Sequence, residues 1–215
     1  MKGESMLKLI TKTSGRATVA VLFAALLVGV GGCANTNTRD EDSRGASLLI
    51  VEKLAAQDVT GADVDFLFSD VLKCDADGTN CTIVEDNGKA TLRNMSLNQD
   101  PNTQTSSAYQ DIQMYRLSVQ YTRGDGHNVQ GVDIPYNFDA VMSGTVVVNT
   151  TQDFFFVLVR HVAKMERPLV DLIGSGSEEI IYTNTRCDFY GRDIAGNEHQ
   201  CFAWIDIEFG DFQLD

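Results

Sequence analysis

No stretch of these 215 residues stays apolar over the roughly 20 positions that a helix needs to cross a hydrocarbon core. The uncharged run at residues 17–30 covers only 14 positions, and FFFVLV at residues 154–159 stops at Arg160 and His161. Positive charge is scarce: 17 Lys and Arg stand against 30 Asp and Glu, for a formal net charge of −13. So acidic a chain repels nucleic-acid phosphates, and no nucleic-acid partner is expected. No Cys-x-x-Cys pair occurs, which argues against a thiolate metal site or a thioredoxin-like redox pair. Catalytic signatures are missing too. GSGS at residues 174–177 lacks the Gly-x-Ser-x-Gly spacing of a nucleophile elbow, and neither a phosphate-cradling loop nor a His-Glu-x-x-His helix is present. His127 falls in a turn, His161 ends an apolar run, and His199 adjoins Glu198, which a strand would point to its other face. Paired carboxylates are too common in a chain this acidic to indicate glycoside hydrolysis. No enzymatic activity is expected.

What is present begins at the N-terminus. Lys2, Lys8, Lys12 and Arg16 form a positive region ahead of the apolar run, the pattern of an export signal. The run ends Val30-Gly31-Gly32-Cys33, with two small residues directly before a cysteine. This resembles the lipobox of bacterial lipoproteins, with Val30 and Gly31 as variants of the usual residues. The resemblance covers residues 1–33 only. It implies a signal peptide at 1–32, and lipidation of Cys33 as the first mature residue by a diacylglycerol and an acyl chain such as palmitate. Several chains together anchor stably where one does not. Ala34, in place of the Asp associated with inner-membrane retention, implies the outer membrane of the cell envelope. Without residues 1–32 the net charge becomes −16, since that segment holds four basic residues and Glu4. Residues 33–46 (CANTNTRDEDSRGA) hold too little apolar surface to fold and read as a disordered tether. A single domain is expected over 47–215.

Four cysteines remain: Cys74, Cys81, Cys187 and Cys201. An even number in an exported protein suggests two disulfides. Folding residues 180–209 as a hairpin about Ile194 places Cys187 opposite Cys201 on the core face. Cys74 and Cys81 would close the loop KCDADGTNC, although crossed pairing stays open. That loop also carries Asp75, Asp77 and Asn80, oxygen donors of the kind calcium takes, roughly six to eight at a time. Its glycine stands at position four rather than the six of an EF-hand. Calcium is the one cofactor the sequence admits; the alternative is an acidic turn closed by a disulfide. Asp193, Asn197 and Glu198 form a second donor-rich turn. Arg123-Gly124-Asp125 reads as turn chemistry.

From Ser47 on, apolar residues alternate with period two. Val64, Phe66 and Phe68 form one such set; Tyr115, Leu117, Val119 and Tyr121 a second; Ala203, Ile205, Ile207 and Phe209 a third. Each reads as a strand with one buried face, and FFFVLV as a central strand apolar on both. Turn signals stand at 86–88, 124–126, 143–144 and 195–197. Residues 47–57 suit a strand or a short helix, and Pro168 opens a possible helical turn. The expected fold is all-β, an antiparallel immunoglobulin-like β-sandwich with at most one or two short helices. The stretches GVDIPYNF (131–138) and FYGRDIAGNEHQCFAWIDIEFGDF (189–212) resemble uncharacterised bacterial β-sandwich lipoproteins, which implies that fold and no particular activity.

The expected function is a membrane-anchored interaction, structural or adhesion module of the cell envelope, with a protein partner at the envelope or surface. A ligand- or carbohydrate-binding sandwich, calcium-assisted or not, is the alternative. Loops at 98–108 and 123–131, with the outward aromatics Phe202 and Trp204, are the candidate contacts.

Overall fold

Alternation of apolar and polar residues becomes strand wherever one face can be buried, and the described residues hold eleven strands, long and short. The computed structural model describes residues 47–58, 60–75, 77–97, 108–175 and 179–212. Cys33, the expected signal and tether, and residues 98–107 lie outside them. The strands are β1 (Ser47–Gln57), β2 (Asp63–Val64), β3 (Phe66–Asp70), β4 (Lys73–Cys74), β5 (Cys81–Thr82), β6 (Asp86–Ser96), β7 (Ile112–Thr122), β8 (Phe138–Val146), β9 (Thr151–Val159), β10 (Ile181–Asp193) and β11 (Glu198–Gly210). One helical turn, α1 (His161–Lys164), and 3-10 turns at Ala108–Gln110 and Leu169–Leu172 interrupt them.

The strands form an all-β sandwich. One sheet has the order β2-β1-β6-β9, the other β3-β11-β10-β7-β8, and β4–β5 is a small separate ladder. Taking the seven long strands alone, the first, second and fifth share one sheet, and the third, fourth, sixth and seventh share the other. This is the immunoglobulin-like connectivity, with the fourth strand placed beside the third. Among the named strands all pairings are antiparallel except β3 with β11, which run parallel. Leu92, Phe154 and Leu158 from one sheet meet Leu117, Val119, Phe189, Ile205 and Phe209 from the other in the core. The buried Tyr121 hydroxyl donates to the Leu158 carbonyl at 2.7 Å, so the sheets are also joined by a satisfied polar contact.

The ladders correct several sequence expectations. Phe66 and Phe68 do not face the core: β3 buries Leu67 and Ser69 instead and leaves Phe68 64% exposed. Its partner decides this, because Leu67 aligns with Ile207 and Ser69 with Phe209, both core residues. A one-residue change of register turns every side chain over. In β7 a register shift between Met114 and Arg116 breaks the alternation, so Ile112 and Met114 are buried while Tyr115 faces outward. FFFVLV lies in β9 at the edge of its sheet, not the centre, with Phe155 exposed. Residues 86–88 and 143–144 continue strands β6 and β8 rather than turning. Residues 47–57 are strand, and Pro168 directly precedes the 3-10 turn at Leu169–Leu172.

The closing hairpin is displaced by two residues from the expected register. Cys187 opposes Ala203, and Phe189 opposes Cys201. Faces are kept, so both cysteines are buried, but they are diagonal neighbours and stand as free thiols. Diagonal positions lie roughly 7–8 Å apart, too far for a bridge. The expected Cys187–Cys201 disulfide is therefore not formed, whereas Cys74–Cys81 is.

Candidate functional site

The outward face of the five-stranded sheet is built by strict alternation along β10 and β11. Trp204 stands beside Arg186, and Phe202 beside Asp188. Phe202 is 52% and Trp204 47% exposed, as alternation predicts for them. Sequence reading did not find what lies between. The Arg186 guanidinium sits 4.1 Å from the Phe202 ring centre and 5.8 Å from that of Trp204. Its Nε and Nη2 donate to Asp188 Oδ1 at 3.1 and 2.7 Å, and Gln200 donates to the same oxygen at 3.0 Å. Asp188 is fully buried beneath this layer. An Arg-x-Asp spacing on a strand puts both residues on one face, and that was the available signal. The face continues in both directions. Arg116 lies 4.0 Å over Tyr190, and Glu198 accepts hydrogen bonds from Tyr115 (2.8 Å) and Arg192 Nε (2.8 Å). At the other end Tyr182 packs 6.0 Å from Phe66, which stands edge-on to Phe68 at 4.8 Å. The result is a band of exposed rings and guanidinium groups.

Beside β3 runs a groove of about 520 Å³, walled by Val64, Phe66, Leu67 and Phe68, with Lys73, Asp86 and Lys164 among its polar residues. Lys164, the last residue of α1, is 1% exposed. Its Nζ donates to Asp86 Oδ2 at 2.9 Å and to the Asp70 carbonyl at 2.8 Å. Ser69 donates to Asp86 Oδ2 at 2.6 Å. Burial raises the Asp86 carboxyl above the usual range, against the opposing charge of Lys164. Nothing in the sequence brings residues 86 and 164 together, since their contact is made only by tertiary packing.

The acidic turns turn out to be a recurring device. Gly61, Gly78 and Gly196 each have positive φ and donate from N–H to the carbonyl of the Asp three residues before, Asp58, Asp75 and Asp193. Each Asp side chain then accepts backbone N–H bonds from beyond the glycine. At Asp75 one oxygen takes Thr79 N–H (2.9 Å) and Asn80 N–H (3.2 Å), the other the Asn80 amide (2.6 Å). Asn80 therefore offers Asp75 its nitrogen, and Asp77 lies exposed nearby. These bonds, led by that of Asn80, hold the Asp75 carboxyl below the usual range. Among the described residues no group of three or more His, Cys, Asp or Glu is placed to hold a metal. Asp193 is secured differently: Asn197 donates twice at 2.8 Å and His199 Nε2 lies at 3.4 Å. Burial raises the Asp193 carboxyl, but the Asn197 and His199 bonds outweigh it and the net shift is downward.

His127 and His161 are exposed, His127 lies 3.8 Å from Asp125, and Arg123 and Asp125 pair with each other within their turn. Burial, and secondarily Asp188, pushes the Cys201 thiol up to about 12, and Cys187 rises for the same reasons, so neither is a reactive thiolate at neutral pH. No protein-family model and no curated protein matches the chain.

Proposed function

We propose that this chain is a lipid-anchored, extracytoplasmic interaction module of the cell envelope. Cys33 carries the anchor, and the outward face of the five-stranded sheet contacts a protein partner at the outer membrane, on its periplasmic or its surface side. The observation that carries the reading is the exposed band around Phe202, Arg186 and Trp204. Large aromatic residues and arginine are the residue types that dominate binding energy at protein interfaces, and apolar rings left in water on one face call for a partner. Asp188 holds Arg186 against the rings, so the patch is ordered before binding and loses little side-chain freedom on contact. No catalytic role is part of this proposal.

Capture of partners from the native envelope tests this. The lipidated chain should retain a specific envelope protein that a Phe202→Ala/Trp204→Ala variant of equal stability loses. Equal capture by both would remove the face from the proposal. Cys33→Ser should abolish incorporation of a labelled acyl chain and release the protein from membranes.

A second reading is carbohydrate binding, favoured by the same row of rings. A glycan array answers it: retention of a defined saccharide, lost in the double variant, would replace the protein partner.

A further inference from the structure

We propose that Lys164 and Asp86 become joined by an intramolecular amide between their side chains, a covalent staple that needs no enzyme. The two reacting groups are held in contact by three separate elements: Lys164 at the end of α1, Asp86 at the start of β6, and Ser69 on β3. The lysine is 1% exposed and its amine lies 2.9 Å from Asp86 Oδ2. Besides that oxygen it contacts the Asp70 carbonyl, an acceptor that fixes its direction. Asp86 is 18% exposed, along the groove.

Keeping both groups ionised there is costly, because desolvation of two charges competes with their attraction. Moving one proton from the ammonium to the carboxylate gives a neutral amine against a neutral acid, and these are the reactants of a condensation. Burial shifts Asp86 in the required direction, toward its protonated form. Other charges face the pair: Lys73 favours the Asp86 carboxylate, while Asp70, itself raised by burial, interacts with Lys164. In the reaction the nitrogen lone pair attacks Asp86 Cγ and a C–N bond forms. The Cγ–Oδ2 bond breaks, and Oδ2 leaves as water with the acid proton and one proton from nitrogen. The Ser69 hydroxyl, 2.6 Å from Oδ2, hydrogen-bonds the departing oxygen. The groove gives the water an exit. Atoms balance, and no oxidant or cofactor is consumed. Holding the amine against the carboxyl favours the reaction by proximity, which in well-oriented intramolecular reactions reaches effective concentrations on the order of 10⁵–10⁸ M.

Peptide mapping of the full chain by mass spectrometry, after reduction, denaturation and trypsin digestion, decides this independently of the proposed function. The expected product is a branched peptide linking the Asp86 and Lys164 segments, one water lighter than the two separate chains, with the linear forms lost. Recovery of both segments only as linear peptides from protein with a folded circular-dichroism spectrum overturns the proposal. Lys164→Arg keeps the charge but lacks the nucleophilic amine. It should lose the branched peptide and melt at lower temperature than the wild type.

Discussion

Two ion pairs in this sandwich divide their burial in opposite ways. In Lys164–Asp86 the cation is sealed at 1% exposure and the carboxylate is 18% exposed along the groove. In Arg186–Asp188 the carboxylate is sealed at 2% and the cation is 33% exposed on the sheet face. The difference follows from what each pair joins. Lys164 must reach from α1 across the edge of the sheets to hold β3 and β6, so its whole stem lies in the interior. Arg186 and Asp188 share one strand face, and their pair orients a guanidinium against Phe202 and Trp204 rather than tying elements together. One pair serves the fold and the other serves the surface, so substitution should separate them.

Lys164→Ala carries the largest expected effect, a loss of about 3–5 kcal/mol in denaturant unfolding, because it strands a buried carboxylate. Arg186→Ala should cost less, about 1–3 kcal/mol, since Gln200 still donates to Asp188 and water reaches the site. A larger loss for Arg186 than for Lys164 would reverse the assignment of roles. Phe202→Ala and Trp204→Ala should each change stability by under about 1 kcal/mol, while weakening partner capture by roughly tenfold or more.

Acidity sharpens the contrast further. In chains where Asp86 and Lys164 are not joined by the amide, Asp86 has a raised folded-state pKa, so its contribution is present below the unfolded value of 3.8 and is lost as pH rises through the folded one. Asp193 is depressed, so its contribution is present above 3.8 and lost as pH falls through its folded pKa. Relative to the unlinked protein, Asp86→Asn should remove a decline of stability just above pH 3.8, and Asp193→Asn should remove a decline just below it, both read from melting temperature against pH. The smallest effect is expected from calcium. Asp75 already accepts bonds on both oxygens, so millimolar Ca²⁺ should barely move the melting temperature. A clear rise would restore Asp75, Asp77 and Asn80 as ligands.

Alternation along one strand is a local property, and residues 201–209 show how far it carries. Ile205, Ile207 and Phe209 went inward and Phe202 and Trp204 outward, as their parity requires. The turn at 195–197 was legible for the same reason: a glycine with positive φ and an Asp that caps backbone N–H groups act within five residues. Cys74 and Cys81 belong with these, since a short loop brings its own ends together. Alternation failed where a partner strand set the phase. Phe66 and Phe68 looked like a buried set until Ile207 and Phe209 claimed the core side of β11 and took Leu67 and Ser69 with them.

By itself, then, the sequence determined the all-β class, the acidic balance, the turns at 124–126 and 195–197 and the outward aromatics of the last strand. Each depends on residues within a few positions of one another, where backbone sterics and strand pleat leave few choices. The tertiary structure decided which register the closing hairpin adopts, and so left Cys187 and Cys201 unbridged. It also turned β3 over, moved FFFVLV to a sheet edge, and placed Lys164 against Asp86 across 78 positions of chain. Those outcomes depend on which faces compete for a single core. That competition is settled by packing between strands, on which a pattern within one strand carries no information.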